Sequence, residues 1–401
     1  MNKKISIGLC ICLIILTVSA TFSGTMLISK QIYNKIISDI SQRSQVYDTI
    51  DEVNRLVSNY YYGTVPDKNV LNSSIAAGYI NGLEEGENFY LSPEDYTAYI
   101  KKLESETEGI GVEVIYSFLN NQLIISHVFD SSPAKSAGLA QGDIITAIDD
   151  VAVNQSNYEE LSKKLSAGLL TEVKIEYERD SVTSVCEPIG GFSIPSVVAV
   201  NVSNMGYIRI DGFYKNTASE LKACINRLTE QGLDKFIFDL RNTSDGNIEY
   251  CAKAIDVIVP ASSGSIAVAR SKNGEVYKNN TYSAESSCVN GTFAVLVNEG
   301  TSGPGELFAA DMRDMKMASL VGIKTAGVGT MQELFTLNNG GAVLLTVAAI
   351  EPYSGSNGSY NKTGLTPDLE IALQGIEQSE IAIINITKDN QISAAVGLLA
   401  E

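Results

Sequence analysis

Two glycine-rich stretches hold the side chains that could do covalent chemistry. The first, Val297-Asn298-Glu299-Gly300-Thr301-Ser302-Gly303-Pro304-Gly305-Glu306, carries a serine hydroxyl at Ser302. The second, Lys324-Thr325-Ala326-Gly327-Val328-Gly329-Thr330-Met331-Gln332, carries an amine at Lys324. Amide cleavage by a serine and a lysine needs a hydroxyl nucleophile, a nearby amine kept neutral by desolvation, and backbone N–H groups aimed at the developing oxyanion. Ser302 and Lys324 are one candidate pair; the competing reading makes Ser302 a turn or cap residue and Lys324 a solvated one. His127 is the sole histidine. That excludes a His-rich metal centre and leaves a Ser-His-Asp triad only if His127 is its base. It lies in the strand-like run Leu123 to Phe129, which favours a structural role. Cys186, Cys224, Cys251 and Cys288 lack C-x-x-C spacing, which argues against zinc and leaves three disulfide connectivities or none. No metal and no cofactor are expected.

The same two stretches resemble the nucleophile and base segments of the C-terminal processing (tail-specific) serine peptidases of the S41 type, which read N-x-G-[ST]-A-S-A-S-E and T-F-G-K-G-x-V-Q. Asp211-Gly212-Phe213, Asp239-Leu240-Arg241, Val321-Gly322, Gly364-Leu365-Thr366-Pro367-Asp368 and Asp389-Asn390-Gln391-Ile392 extend the resemblance from about Val53 to the C-terminus. Aligning Asn298, Gly300 and Glu306 puts Gly303 at the nucleophile. Aligning Thr325, Gly327, Gly329 and Gln332 puts Val328 at the general-base lysine. The resemblance also implies an oxyanion donor from the residue after the nucleophile, here Pro304, which has no N–H. The other donor belongs to the D-L-R-x-N-x-G-G loop, where Asp245 replaces the first glycine. Gln332 is retained. Four lesions in one pocket imply an inactive pseudopeptidase; the alternative is a divergent serine endopeptidase using Ser302 and Lys324, shifted one and four residues from the family positions.

Gly109-Ile110-Gly111-Val112, Ser132-Pro133-Ala134 with Ala137-Gly138-Leu139, and Gly142-Asp143-Ile144-Ile145 follow in order within about 40 residues and together resemble a PDZ domain. A glycine-containing loop can turn its N–H groups toward a peptide carboxylate, and the strand that follows offers an edge for β-augmentation. The resemblance implies that Gly109 to Val112 cap the carboxylate and that the helix bearing Tyr158 and Leu161 lines the groove. A second reading has the groove hold this protein's own interior or a fixed partner.

The elements that must position these groups read as a mixed α/β chain of 401 residues. Residues Ile5 to Ser29 are uncharged and follow Lys3 and Lys4, long enough for a spanning helix of about 20 residues. The basic leader favours a cytoplasmic N-terminus, so a single-pass cell-membrane anchor with an extracytoplasmic body is expected. Its rival is a signal peptide cleaved near Val18-Ser19-Ala20. The expected divisions are an anchor at 1–30, a helical region at 31–106, a PDZ β-module at 107–185, an S41-like α/β core at 186–375 and a helical tail at 376–401. Ser92-Pro93-Glu94-Asp95 should open a helix. From Met205 onward strands and helices alternate: 206–210, 217–231, 236–240, 248–259, 293–297 and 306–315. That alternation implies βαβ units whose functional loops follow Leu240 and Val297. A net charge of -18 repels nucleic acid and anionic headgroups. Expected partners are peptide C-termini, the membrane through the anchor, and a second copy or an active paralogue.

Overall fold

The computed structural model describes residues 25–26, 29–30, 48–83, 87–284, 289–353, 359–376, 378–385 and 387–400. The expected anchor, with Val18-Ser19-Ala20, lies outside the described residues apart from Thr25, Met26, Ser29 and Lys30. No helix among the described residues is long and apolar enough to cross a membrane. The chain divides into two compact units, one ending at Ser74 and one beginning at Ile75. Residues 48–60 form helix α1, where Val53, Leu56 and Val57 recur at helical spacing. Helix α2 follows at Lys68–Asn81.

In the second unit a short strand, β1 (Phe89–Leu91), leads into α3 (Pro93–Leu103). Ser92 caps α3 by accepting the Asp95 N–H at 3.1 Å, Pro93 takes a first-turn position where no N–H is needed, and Glu94 and Asp95 face the positive end of the helix dipole.

The β-module contains β2 (Glu108–Gly109), β3 (Val112–Ser117), β4 (Gln122–Val128), helix α4 (Pro133–Ser136), β5 (Ile144–Ile148), β6 (Val151–Ala152), helix α5 (Tyr158–Lys164), β7 (Ile175–Arg179), β8 (Val182–Cys186) and β9 (Phe192–Ser193). Its sheet runs β3-β4-β5-β7-β8, with β6 on β5 and β2 paired to β9. Strand alternation sends Leu123 and Ile125 of β4 inward, and an irregularity in the β5–β7 pairing between Ile145 and Ala147 lets both Ile145 and Ile148 join Ile175 in a core closed by Leu161 of α5. Among the described residues β3 pairs only with β4, so one edge of β3 is unpaired.

The α/β core begins with β10 (Val197–Val202), antiparallel to β11 (Met205–Ile210). Then β11, β12 (Lys235–Asp239), β15 (Thr292–Val297), β16 (Ala318–Gly322) and β19 (Leu369–Glu370) run parallel in that order. Helices α6 (Thr217–Glu230), α7 (Ile248–Asp256) and α8 (Pro304–Asp314) pack on one face of this sheet, with Leu221, Ile225 and Leu228 forming the apolar stripe of α6. Helix α9 (Asn390–Ala400) covers the other face through Ile392, Ala395 and Leu399. The strand and helix alternation expected from Met205 onward is thus present.

A second sheet has no counterpart in the sequence reading. It contains β13 (Ser265–Arg270), β14 (Val276–Ser283) and the hairpin of β17 (Thr330–Thr336) and β18 (Ala342–Glu351), with β1 paired to β18. It places Gln332 and the strand that carries it beside the loops of the parallel sheet.

Candidate functional site

Strands β12 and β15 are parallel neighbours, so the loops that leave their C-terminal ends meet. Asn298 joins them: its Oδ1 accepts the N–H of Asn242 at 2.8 Å and of Gly300 at 3.0 Å, while its Nδ2 donates to Asn242 Oδ1 at 2.8 Å. Thr301 adds a second tie by donating its hydroxyl to the Leu240 carbonyl at 2.8 Å, and the Ser302 N–H donates to the Thr243 carbonyl at 3.1 Å. A Cβ at Gly305 would stand 2.4 Å from that Thr243 carbonyl, so the close approach of the two loops requires glycine there.

Gly303 caps α8 with φ 51° and ψ -114°. A positive-φ residue at a sharp strand-to-helix turn is the arrangement that projects a nucleophile in other hydrolases. Here a Cβ at Gly303 would meet nothing nearer than the Ser244 carbonyl at 3.9 Å. It would enter a cleft of about 330 Å³ that Gly303 and Pro304 line together with Glu87, Tyr99, Asp245 and Gln332. The space for a nucleophilic side chain is present and the hydroxyl is not. Pro304 has no N–H to offer an oxyanion.

The alternative pair fares differently. Ser302 is buried and does not line this cleft, whereas Lys324 is exposed just past β16. Among the described residues no hydrogen bond joins them.

Glu306, in the first turn of α8, organises the site. Its carboxylate accepts the N–H of Gly327 at 2.7 Å and of Val328 at 2.6 Å, together with the Thr325 hydroxyl. The Gly303 N–H points to it as well. Burial pushes this carboxyl above its ordinary value, and the four donors pull it part of the way back. The segment bearing Val328 is therefore pinned to the helix that follows Gly303. Val328 lines a neighbouring cleft with Glu87, Thr330 and Thr346, and valine cannot accept a proton. Gln332 lines the Gly303 cleft and donates to the Thr330 hydroxyl at 3.2 Å.

Asp245 turns its carboxylate onto the N–H next to it. Its Oδ1 accepts the Gly246 N–H at 2.8 Å, and its Oδ2 takes Lys102 Nζ at 2.6 Å and the Tyr214 hydroxyl at 3.3 Å. Burial and the Asp245 charge push Tyr214 well above its ordinary value, which keeps it a donor. An N–H that could face a developing oxyanion thus already holds an anion. Gly246 has φ 119°, and a Cβ there would lie 2.3 Å from the Phe213 carbonyl.

Beneath the loops, Arg241 is fully buried against Asp239 and Asp389, and Tyr207 donates to Asp239 at 2.6 Å. These residues of the two acidic motifs tie α9 to the parallel sheet and do not line the cleft. Cys251 is also buried, with Sγ donating to the Pro304 carbonyl at 3.0 Å, and burial raises its thiol. Cys186, Cys224 and Cys251 are free thiols, and Cys288 lies outside the described residues.

In the β-module Gly109, Ile110, Gly111 and Val112 are all buried. Gly111 has φ 87°, and a Cβ there would fall 2.2 Å from Ser132 Cβ, so the loop depends on glycine at that position. The Ile110 N–H donates to the Leu165 carbonyl at 3.0 Å. That donor is not open to a carboxylate in this conformation, contrary to the simplest expectation for the loop. Tyr158 stacks on Tyr116 with ring centroids 4.2 Å apart, and Leu161 sits in the module core. Glu113 of β3 meets Arg209 of β11, which also holds Asp211 and donates to the Ala382 carbonyl at 3.1 Å. Burial and the Asp211 charge raise Glu113 to about 7, against the opposing pull of Arg209. His127 is lowered to about 4 by burial and by Arg209.

No sequence motif points to Lys102, Tyr214 or Glu87 at the site. In the sequence Glu306 only fixes the register of one motif. Its signal was available in principle, because a glutamate in the first turn of a buried helix requires several donors.

Comparison with known proteins gives the same architecture. Residues 204–371 match Peptidase family S41 and residues 108–187 match the PDZ domain. The chain is 30% identical over 331 residues to a carboxyl-terminal-processing protease of Synechocystis sp., covering 79% of this chain and 74% of the relative. It is 25% identical over 360 residues to a CtpA-like serine protease of Staphylococcus haemolyticus, covering 90% and 71%. A solved S41 protease structure from Bacteroides fragilis shares the fold, with a TM-score of 0.54, 17% identity and coverage of 84% and 92%. The chain belongs to the carboxyl-terminal-processing proteases of peptidase family S41 and carries a PDZ domain.

Proposed function

We propose that this chain is a catalytically inactive member of its family, a membrane-anchored extracytoplasmic pseudopeptidase that binds free peptide C-termini or a partner protein through its PDZ groove. The observation that carries this reading is Gly303 followed by Pro304 at the start of α8, a nucleophile turn with neither a hydroxyl nor the next N–H. Val328 and the self-bonded Asp245 support it. Removing one oxyanion donor typically costs about 10²–10³ in rate, and loss of nucleophile or base leaves only residual catalysis. The uncharged run Ile5 to Ser29 after Lys3 and Lys4 motivates the anchor and its orientation. Binding to a second copy or to an active paralogue is a further part of the proposal.

Capture of peptides on the immobilised protein tests the binding function. Peptides with a free C-terminal carboxylate should be retained and their C-terminal amides released, because amidation removes the charge that the loop recognises. Equal retention of both forms would show that the module recognises something other than a chain terminus.

A further inference from the structure

We propose that the PDZ groove of the resting chain is held shut by its own helix α5 and has to open before a peptide C-terminus can enter; this rests on the peptide-binding reading above. Contacts at both ends of the groove carry the proposal. At the carboxylate end, the Ile110 N–H is one of the loop donors that a terminal carboxylate would use. It donates instead to the carbonyl of Leu165, the residue that caps α5, at 3.0 Å. At the upstream end, Tyr158 in the first turn of α5 stacks on Tyr116 of β3 with centroids 4.2 Å apart and planes 19° apart. Phe118 meets both rings edge-on, at 5.3 and 5.9 Å.

Helix α5 is thereby fastened at both ends to the loop and strand that a peptide would have to engage. The helix has seven residues, and Asn157 at its N-cap makes no side-chain cap bond. A helix this short has little stability of its own, so its packing, these end contacts included, decides where it lies. Phe118 is 59% exposed whereas Tyr116 is 5% exposed, so Phe118 and Tyr158 sit at the rim of the module against a ring that belongs to its core. Leu161, 3% exposed, anchors the middle of the helix in the core. The latch can therefore part while the core stays packed. A closed resting state lowers apparent affinity by the fraction of molecules that are open, and loss of the aromatic latch should raise that fraction.

The test titrates a fluorescein-labelled decapeptide with a C-terminal valine and a free carboxylate into the whole chain and its Phe118→Ala and Phe118→Tyr variants. Phe118→Ala should bind about two- to tenfold more tightly, as expected for removal of an aromatic contact, and Phe118→Tyr, which keeps the edge-on ring, should match the unmodified chain. Equal or weaker binding by Phe118→Ala would overturn the closure while leaving the peptide-binding reading standing. Absence of binding by every variant would overturn both. Hydrogen exchange at the Ile110 amide of the unmodified chain provides a readout independent of any substitution. Slow exchange without peptide is the expected result, and exchange at the rate of an open loop would overturn the proposal.

Discussion

The Glu306 carboxylate accepts the Val328 N–H at 2.6 Å, so the first turn of the helix after Gly303 grips the residue at the base position. Thr325, Gly327 and Gly303 direct donors to the same carboxylate. Neither end of this link has a catalytic side chain, yet the loops are held in register. A carboxylate buried among several donors stabilises the fold with or without chemistry, so the register of these loops does not depend on a hydroxyl at 303 or an amine at 328.

Glu306→Gln should therefore loosen the site. It removes the charge and sets an amide N–H₂ against backbone N–H groups, leaving buried donors unsatisfied. A loss of about 1–3 kcal/mol is expected, measured as a lower urea midpoint. An unchanged midpoint would show that the carboxylate does not hold the two segments together.

The junction of β3 and β11 should make stability depend on pH in two opposing ways. His127 titrates at about 4 in the folded chain against an ordinary 6.5, so its contribution is present above 6.5 and lost as pH falls toward 4. Glu113 is raised from 4.5 to about 7. The folded chain keeps that proton longer, so this contribution is present below 4.5 and lost as pH rises through 7. Between pH 6.5 and 4.5 the two offset each other. Urea midpoints across this range should fall more steeply with acid in Glu113→Gln and less steeply in His127→Gln. Parallel profiles for both variants and the unmodified chain would contradict the assignment.

Gly303→Ser should remain folded, because a Cβ at that position has 3.9 Å to its nearest neighbour. Its positive φ should cost about 1–3 kcal/mol. No cleavage is expected from this change alone, since Val328 and Pro304 are untouched. A variant that fails to fold would show that the open space is not available, and turnover would show that the hydroxyl alone was missing.

Gly111→Val should disrupt the PDZ loop. The new Cβ would fall 2.2 Å from Ser132 Cβ at a φ of 87°, which combines backbone strain with overpacking at about 2–5 kcal/mol. Reduced thermal stability with loss of peptide capture is the expected outcome. A variant as stable as the unmodified chain would mean that the loop tolerates another conformation.

Much of this arrangement is legible in the residues themselves. Apolar periodicity marks β11, α6, β12, α7, β15 and α8, and Ser92-Pro93-Glu94-Asp95 marks the start of α3, because such signals are local. The second sheet is not legible, since β13 and β18 pair Arg270 with Ala349 across a long separation in the chain. Partners of the site are hidden for the same reason: Lys102 and Asp245 are 143 residues apart, and Asn242 and Asn298 are 56 apart. The glycines at 109 and 111 point to a tight loop. The Ile110 to Leu165 bond that occupies one of its donors depends on where α5 packs, which composition does not reveal.

A cleavage assay on the purified chain tests the inactive-scaffold proposal most directly. The protein is incubated with peptides bearing apolar free C-termini, in parallel with a serine-directed covalent probe. No cleavage and no labelling are expected, because Gly303 has no hydroxyl and Val328 no amine. Turnover and labelling that both disappear in Ser302→Ala would contradict the proposal and establish the shifted Ser302 and Lys324 pair as an active site.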